Sequence, residues 1–173
     1  MAEPKNETVQ RTIDKLHDTV LSVILSTINE DGTLETSYSP YVFKDGHYYI
    51  LTSDLAPHSN NMKNNPNISF LIIEDEANTT NMHARLRLSY RATVEMIDRE
   101  SKEFNQVIAA LKERTGRTVD LLVSIADFNL YKITPTQGRL VLGFGKAYLI
   151  NHQTNVITHV DKDYIAKQKE IAH

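Results

Sequence analysis

The shortness of the breaks between apolar runs constrains this chain more than any other feature. Residues 21–28 form a β-branched, apolar stretch that halts at Asn29-Glu30-Asp31-Gly32. Residues 33–43 then alternate, and Lys44-Asp45-Gly46 separates them from a Tyr- and Ile-rich stretch at 47–52. Turns of this length join antiparallel neighbours, because a parallel crossover needs about a dozen residues or more. The first third of the chain therefore predicts an antiparallel meander. It is preceded by a helix over residues 7–18, where Val9, Ile13, Leu16 and then Val20 recur at helical spacing.

Further along, Pro57 opens a short polar helix within residues 54–65, and Asn64-Asn65-Pro66 ends it. Residues 68–73 are the most purely apolar stretch and predict a strand buried on both faces. An acidic loop at 74–81 leads into a long alternating strand at 84–98. Leu86, Leu88, Tyr90, Ala92, Val94 and Met96 lie on one side of it, and Arg85, Arg87 and Arg91 on the other. Residues 100–114 predict a helix, with a further turn or two at 120–125. A strand at 128–133, a turn at Pro135-Thr136-Gln137-Gly138 and a strand at 139–150 follow. Residues 151–173 are polar and read as a strand with a short helix, or as a mobile tail. Six or seven strands with two or three helices predict an α+β, mainly β, chain built on a small antiparallel barrel with flanking helices. Side chains fill the interior of so small a barrel, so a ligand is expected in a surface groove or at a subunit junction.

Composition excludes several classes. The 173 residues make one domain, and a net charge of -3 argues against a nucleic-acid binder that works by neutralising phosphates. The absence of Cys removes disulfide scaffolds, Cys-based zinc sites, iron–sulfur clusters and thiol nucleophiles. No run is long and apolar enough to span a bilayer, and the first ten residues have no apolar core of a signal peptide, so the expected setting is cytoplasmic, without membrane partners. The sequons at Asn6, Asn67 and Asn78 are then chance matches.

Familiar catalytic motifs are missing: there is no Walker A loop, no Gly-x-Ser-x-Gly elbow and no His-Glu-x-x-His pair. Gly143-Phe144-Gly145 lacks the third glycine and the βαβ setting of a dinucleotide site and reads as a bend or close approach in a strand. Arg85, Arg87 and Arg91 project at period two, either as an anion clamp or as a solvated face paired with Glu74, Asp75 and Glu76. At the start of the short polar helix, Ser53, His58, Ser59 and Asn60 form either an anion-facing corner or a set of capping surface residues.

The order of these pieces resembles the flavin-binding split barrels of the pyridoxamine 5′-phosphate oxidase-like class, and within it the HugZ/HutZ-type haem-utilisation proteins. The resemblance runs through Ser37-Tyr38-Ser39-Pro40-Tyr41-Val42, Ala56-Pro57-His58 with Asn65-Pro66, and Ile73-Glu74-Asp75-Glu76. It continues through Ala84-Arg85-Leu86-Arg87-Leu88, Ala126-Asp127-Phe128-Asn129-Leu130-Tyr131, Gln137-Gly138 and Gly143-Phe144-Gly145-Lys146-Ala147-Tyr148.

This resemblance implies a homodimer of split barrels, residues 1–150, with residues 151–173 as a tail that contributes to a ligand groove at the subunit junction. It implies haem in that groove and oxygen-dependent opening of the porphyrin ring with release of iron. Arg87 and His58 would lie near the propionates, with Arg85, Ser53 and Ser59 alongside. FMN is the alternative cofactor, although residues 56–62 lack the Arg or Lys with which flavin-binding relatives hold the phosphate, and Lys63 lies just beyond. A non-catalytic haem carrier is a third reading. In the family a tail His ligates iron and an Asp matching Asp127 supports it, but here the ligand position falls on Tyr164. Three outcomes follow: His159 or His173 takes the place, Tyr164 ligates as a phenolate, or the groove serves another ligand.

Overall fold

The turn signals determine where the strands reverse. At Asp45-Gly46 both residues take positive φ, 51° and 80°, the two-residue geometry that matches the twist of a hairpin. They join β3 (Val42–Lys44) to β4 (His47–Ser53) with Lys44 opposite His47. The computed structural model describes residues 3–161 together with Tyr164 and Ala166. Its strands are β1 (Ser22–Ile28), β2 (Leu34–Pro40), β3, β4, β5 (Asn67–Ile73), β6 (Arg87–Met96), β7 (Phe128–Gly143), β8 (Lys146–Asn151) and β9 (Val156–Val160). The helices are α1 (Glu3–Thr19), α2 (Pro57–Asn64), α3 (Lys102–Thr115) and α4 (Thr118–Ser124). The strands hydrogen-bond in the order β2-β1-β5-β6-β7-β4-β3, with β8 on β7 and β9 on β8. No helix among the described residues is long and apolar enough to cross a membrane.

Among the described residues nine strands replace the expected six or seven. The stretch 33–43 divides at Tyr41 into β2 and β3, and the tail adds β9. Conversely, the turn expected at Pro135-Thr136-Gln137-Gly138 is absent, because β7 runs unbroken through it for 16 residues. Pro135 falls in the gap between two of its partners, since pairing with β4 ends at Ile133 and pairing with β8 begins at Gln137, so neither needs its missing N–H. The reversal comes instead at Gly143-Phe144-Gly145, which joins β7 to β8 rather than bending one long strand. Nor is β5 buried on both faces. Ile68, Phe70 and Ile72 are inside while Asn67 and Ser69 are exposed, because an antiparallel sheet leaves one face open.

Two compact units share the chain. One holds residues 1–20, 72–90 and 136–173; the other holds 21–71 and 91–135. In the first, Val9, Ile13 and Leu16 form the buried stripe of α1. In the second, α3 presents Phe104, Val107 and Leu111 to Val42, Tyr49, Leu51 and Leu130 of the strands and to Val119 of α4. The Ser101 hydroxyl caps α3 by accepting the Phe104 N–H.

A buried polar contact reinforces α3. The Tyr49 phenol, 3% exposed, donates to Glu103 Oε1 at 2.8 Å, and Lys132 Nζ lies 3.1 Å from the same oxygen. These donors hold the Glu103 carboxyl below its usual range, the Tyr49 hydrogen bond first and Lys132 next. Glu103→Ala, which strands the buried phenol, is expected to lower stability by about 2 kcal/mol in urea denaturation, and Glu103→Gln by about half as much. A carboxyl with depressed folded-state pKa stabilises above its unfolded pKa and loses that contribution as pH falls through the folded value. The wild type should therefore lose more stability than Glu103→Ala between neutral and acid pH.

Candidate functional site

Within the unit of residues 21–71 and 91–135, the end of β4 carries most of the expected site. Strand alternation sends Thr52 inward and Ser53 to the other side, in register with Asn129 and Phe128 of β7. The Ser53 hydroxyl donates to Asp127 Oδ2 at 2.6 Å and accepts the Leu55 N–H at 3.1 Å, while the Asp54 N–H donates to the Asp127 carbonyl at 2.8 Å. Asp127 is thus held by one carboxylate oxygen, and Oδ1 has no hydrogen-bond partner among the described residues. Two exposed apolar residues stand close in sequence to this pair, Leu55 two residues after Ser53 at 88% exposure and Ile125 two before Asp127 at 40%. A free carboxylate oxygen can accept one hydrogen bond from a ligand and so fix its direction.

Asp54 organises the neighbouring corner. Its Oδ1 accepts from Lys63 Nζ at 2.6 Å and from Asn129 Nδ2 at 2.8 Å. The Lys63 hydrogen bond is the main reason its carboxyl lies below the usual range. Lys63, the cation nearest the segment where flavin-binding relatives hold phosphate, is therefore already paired.

His58 and Ser59 face inward, at 8% and 0% exposure, and Thr52 Oγ1 joins them, 2.6 Å from His58 Nε2 and 2.9 Å from Ser59 Oγ. Burial pushes the His58 pKa down, against a smaller opposing pull from Glu35, so the ring is neutral at physiological pH. Of the expected anion-facing corner, Asn60 is exposed and Ser53 half-buried. His58 and Ser59 instead hold α2 against β4.

The unit of residues 1–20, 72–90 and 136–173 carries the arginines and the tail. Arg85 Nε donates to the Glu74 carbonyl at 2.6 Å and its NH1 to Glu76 Oε1 at 3.0 Å, the acidic-loop pairing allowed for in the sequence. Arg87 NH1 donates to the Arg85 carbonyl at 2.9 Å, whereas Arg91 is exposed. His159 lies within β9 opposite Tyr148 of β8, with ring centroids 5.0 Å apart. Its Nε2 contacts the Gly145 carbonyl at 3.0 Å, and its Nδ1 lies 3.7 Å from Asp161. Asp161 Oδ1 accepts the Tyr164 N–H at 2.8 Å, so Tyr164 stands in a capped helical turn just beyond β9. His173 lies outside the described residues. No group of three His, Cys, Asp or Glu that could cage a metal ion occurs among the described residues.

The structure therefore joins Ser53 to Asp127, His58 to Ser59 through Thr52, and Arg85 to Arg87 through a carbonyl. Sequence reading missed Thr52, Asp54, Leu55 and Asn129. Strand alternation gives Thr52 the same inward direction as Tyr48 and Ile50, so its signal was present; Leu55 offers none, since exposure of a loop leucine has no local pattern.

Comparison with known proteins gives the family of the chain. Residues 10–142 match the pyridoxamine 5′-phosphate oxidase family. Over 127 residues the chain is 39% identical to the haem oxygenase HutZ of Vibrio cholerae serotype O1, covering 73% of this chain and 72% of that protein. The crystal structure of HutZ, there described as the haem storage protein of Vibrio cholerae, matches with a TM-score of 0.74 at 32% identity, over 78% of this chain and 96% of that one. Campylobacter jejuni ChuZ matches with a TM-score of 0.81 at 31% identity, over 90% of this chain and 63% of ChuZ, so this chain spans less than two thirds of ChuZ. The chain belongs to the HutZ-type haem-utilisation proteins of the pyridoxamine 5′-phosphate oxidase-like split-barrel class.

Proposed function

We propose that this protein binds haem at a junction between two copies of itself and, given a reductant and oxygen, degrades it with release of iron. The Ser53-anchored Asp127 carboxylate carries this reading, together with the likeness to HutZ. Bound haem would supply the oxygen chemistry at iron, and the protein's own contribution is to bind, orient and tune. Asp127 Oδ1 would accept a hydrogen bond from an iron-ligating imidazole or from a water beside the bound haem, fixing its direction. Arg87, half-buried and with one guanidinium hydrogen bond among the described residues, would pair with a propionate. Arg85, committed to Glu74 and Glu76, would brace Arg87 rather than touch ligand. His58, neutral and buried, would support α2 from beneath.

Three residues compete for the iron. His159 would have to give up the Gly145 carbonyl, whereas the Tyr164 phenol has no such commitment among the described residues. A phenolate ligand favours ferric iron, which would shift the balance from degradation towards storage or transfer of haem. FMN is the second reading, disfavoured by the Lys63–Asp54 pair.

The purified protein titrated with haem is expected to develop a Soret band, and ascorbate with oxygen is expected to bleach it and release chelatable iron. A yellow flavin spectrum would replace the haem reading with the FMN one; intact haem after prolonged exposure would leave a carrier. Tyr164→Phe, His159→Ala and His173→Ala, titrated in parallel, assign the ligand: the true one alters the Soret spectrum, and no change in any of them removes the tail from the iron.

A further inference from the structure

A surface cavity of about 370 Å³ opens where the acidic loop meets the β7–β8 turn, within the unit of residues 1–20, 72–90 and 136–173. Its size falls in the roughly 300–1,000 Å³ range of small-molecule sites. Leu86 and Leu142, both half-buried, supply apolar lining, and Phe144, 69% exposed on its turn, adds an aromatic ring. Asn78 and Asn81 add amides, and no Lys, Arg or His lines the cavity.

The charges around it are unevenly used. Asp75 accepts the Ala77 N–H and caps its own short turn, and Glu76 is paired with Arg85. Arg87 reaches the Arg85 carbonyl. Glu74 bonds through its main chain, its N–H to the Leu86 carbonyl and its carbonyl to Arg85 Nε, while its carboxylate has no partner among the described residues. A half-buried, unpaired carboxylate, an exposed aromatic ring and an apolar lining together favour a cation with a hydrophobic body and disfavour an anion. The only charged side chain lining the cavity among the described residues is Glu74, which repels a haem propionate or a phosphate.

We propose that this cavity binds a small molecule carrying a protonated amine on an apolar body, the ammonium held by the Glu74 carboxylate and the Phe144 ring, and the body resting on Leu86 and Leu142. This site is independent of the haem reading.

The test uses the full-length, haem-free protein, followed by NMR during titration with benzylammonium chloride, benzyl alcohol and sodium benzoate. Benzylammonium is expected to shift the amides of residues 74–84 and 142–145 saturably. Benzyl alcohol should bind about tenfold more weakly, the equivalent of one lost charged contact, and benzoate more weakly still. Glu74→Gln should remove the advantage of the ammonium over the alcohol, and Phe144→Leu should weaken the ammonium about threefold. Unchanged spectra elsewhere report that both variants are folded. Equal binding of alcohol and ammonium, preference for benzoate, shifts confined to other residues, or an undiminished ammonium preference in Glu74→Gln would each overturn the proposal. Because no haem is present, the outcome does not depend on the haem titrations.

Discussion

Gly138→Ala is expected to destabilise this protein by about 3 kcal/mol, at the upper end of what overpacking costs, and Gly138→Val by more. Gly138 is buried in β7, and a Cβ built on it would lie 2.6 Å from Cδ1 of Tyr90, far inside van der Waals contact. The Tyr90 ring has little room to retreat. It is 5% exposed, its edge meets the His152 ring with centroids 5.9 Å apart, and burial pushes its phenol up to about 12. In a chain of this size, 3 kcal/mol corresponds to a fall of roughly 6–12 °C in melting temperature. Calorimetry of Gly138→Ala, Tyr90→Leu and the double variant checks the cause. The two changes should couple, the smaller side chain at 90 relieving most of the added cost at 138. Strict additivity would place the strain somewhere other than Tyr90.

Asp127→Asn should separate function from stability. The asparagine can still accept the Ser53 hydroxyl, so the melting temperature should move little. What it loses is the negative charge that would orient and polarise an axial imidazole or a water, a change that in metal sites typically costs about 10–100-fold in affinity or activity. Haem titration and the ascorbate-driven bleaching rate are the measurements, and Asp127→Ala serves as the harsher control. A variant that binds and bleaches haem like the wild type would show that Asp127 serves only to close the β4 loop. A variant that fails to fold would mean that the Ser53 and Leu55 contacts depend on the charge.

How much of this was legible depended on whether the signal was local. The hairpin at Asp45-Gly46, the helix α3 and the alternation from Leu88 to Val94 each arise from neighbouring residues and appear where the sequence put them, although the strand expected over 84–98 narrows to β6, which leaves Arg85 outside it and Met96 exposed. Pro135 and Gly138 misled because their meaning depends on which strand edge they face, which is decided by partners far along the chain. Ser53 and Asp127 were each legible as polar residues at a strand end or motif, but their pairing across the β4–β7 ladder was not. Arg85 drew attention as a cation, and only the geometry shows that its guanidinium is already occupied by Glu74 and Glu76. The inward turn of His58 follows from α2 lying with His58, Ser59, Asn61 and Met62 buried, a tertiary choice that eight polar-looking residues do not announce.

The β4–β7 ladder also has a consequence for synthesis. Ser53 pairs with Phe128, so 75 residues separate the end of β4 from its partner. At roughly 5–20 residues per second, a ribosome leaves one edge of the Tyr48-Tyr49-Ile50-Leu51 segment without its neighbour for several seconds. During that interval β3 covers the other edge only as far as Tyr49, and an open, hydrophobic edge is a template for pairing with another nascent chain. The first half of this protein is thus the part most in need of a holding chaperone, and slowing translation between residues 53 and 128 would lengthen its exposure.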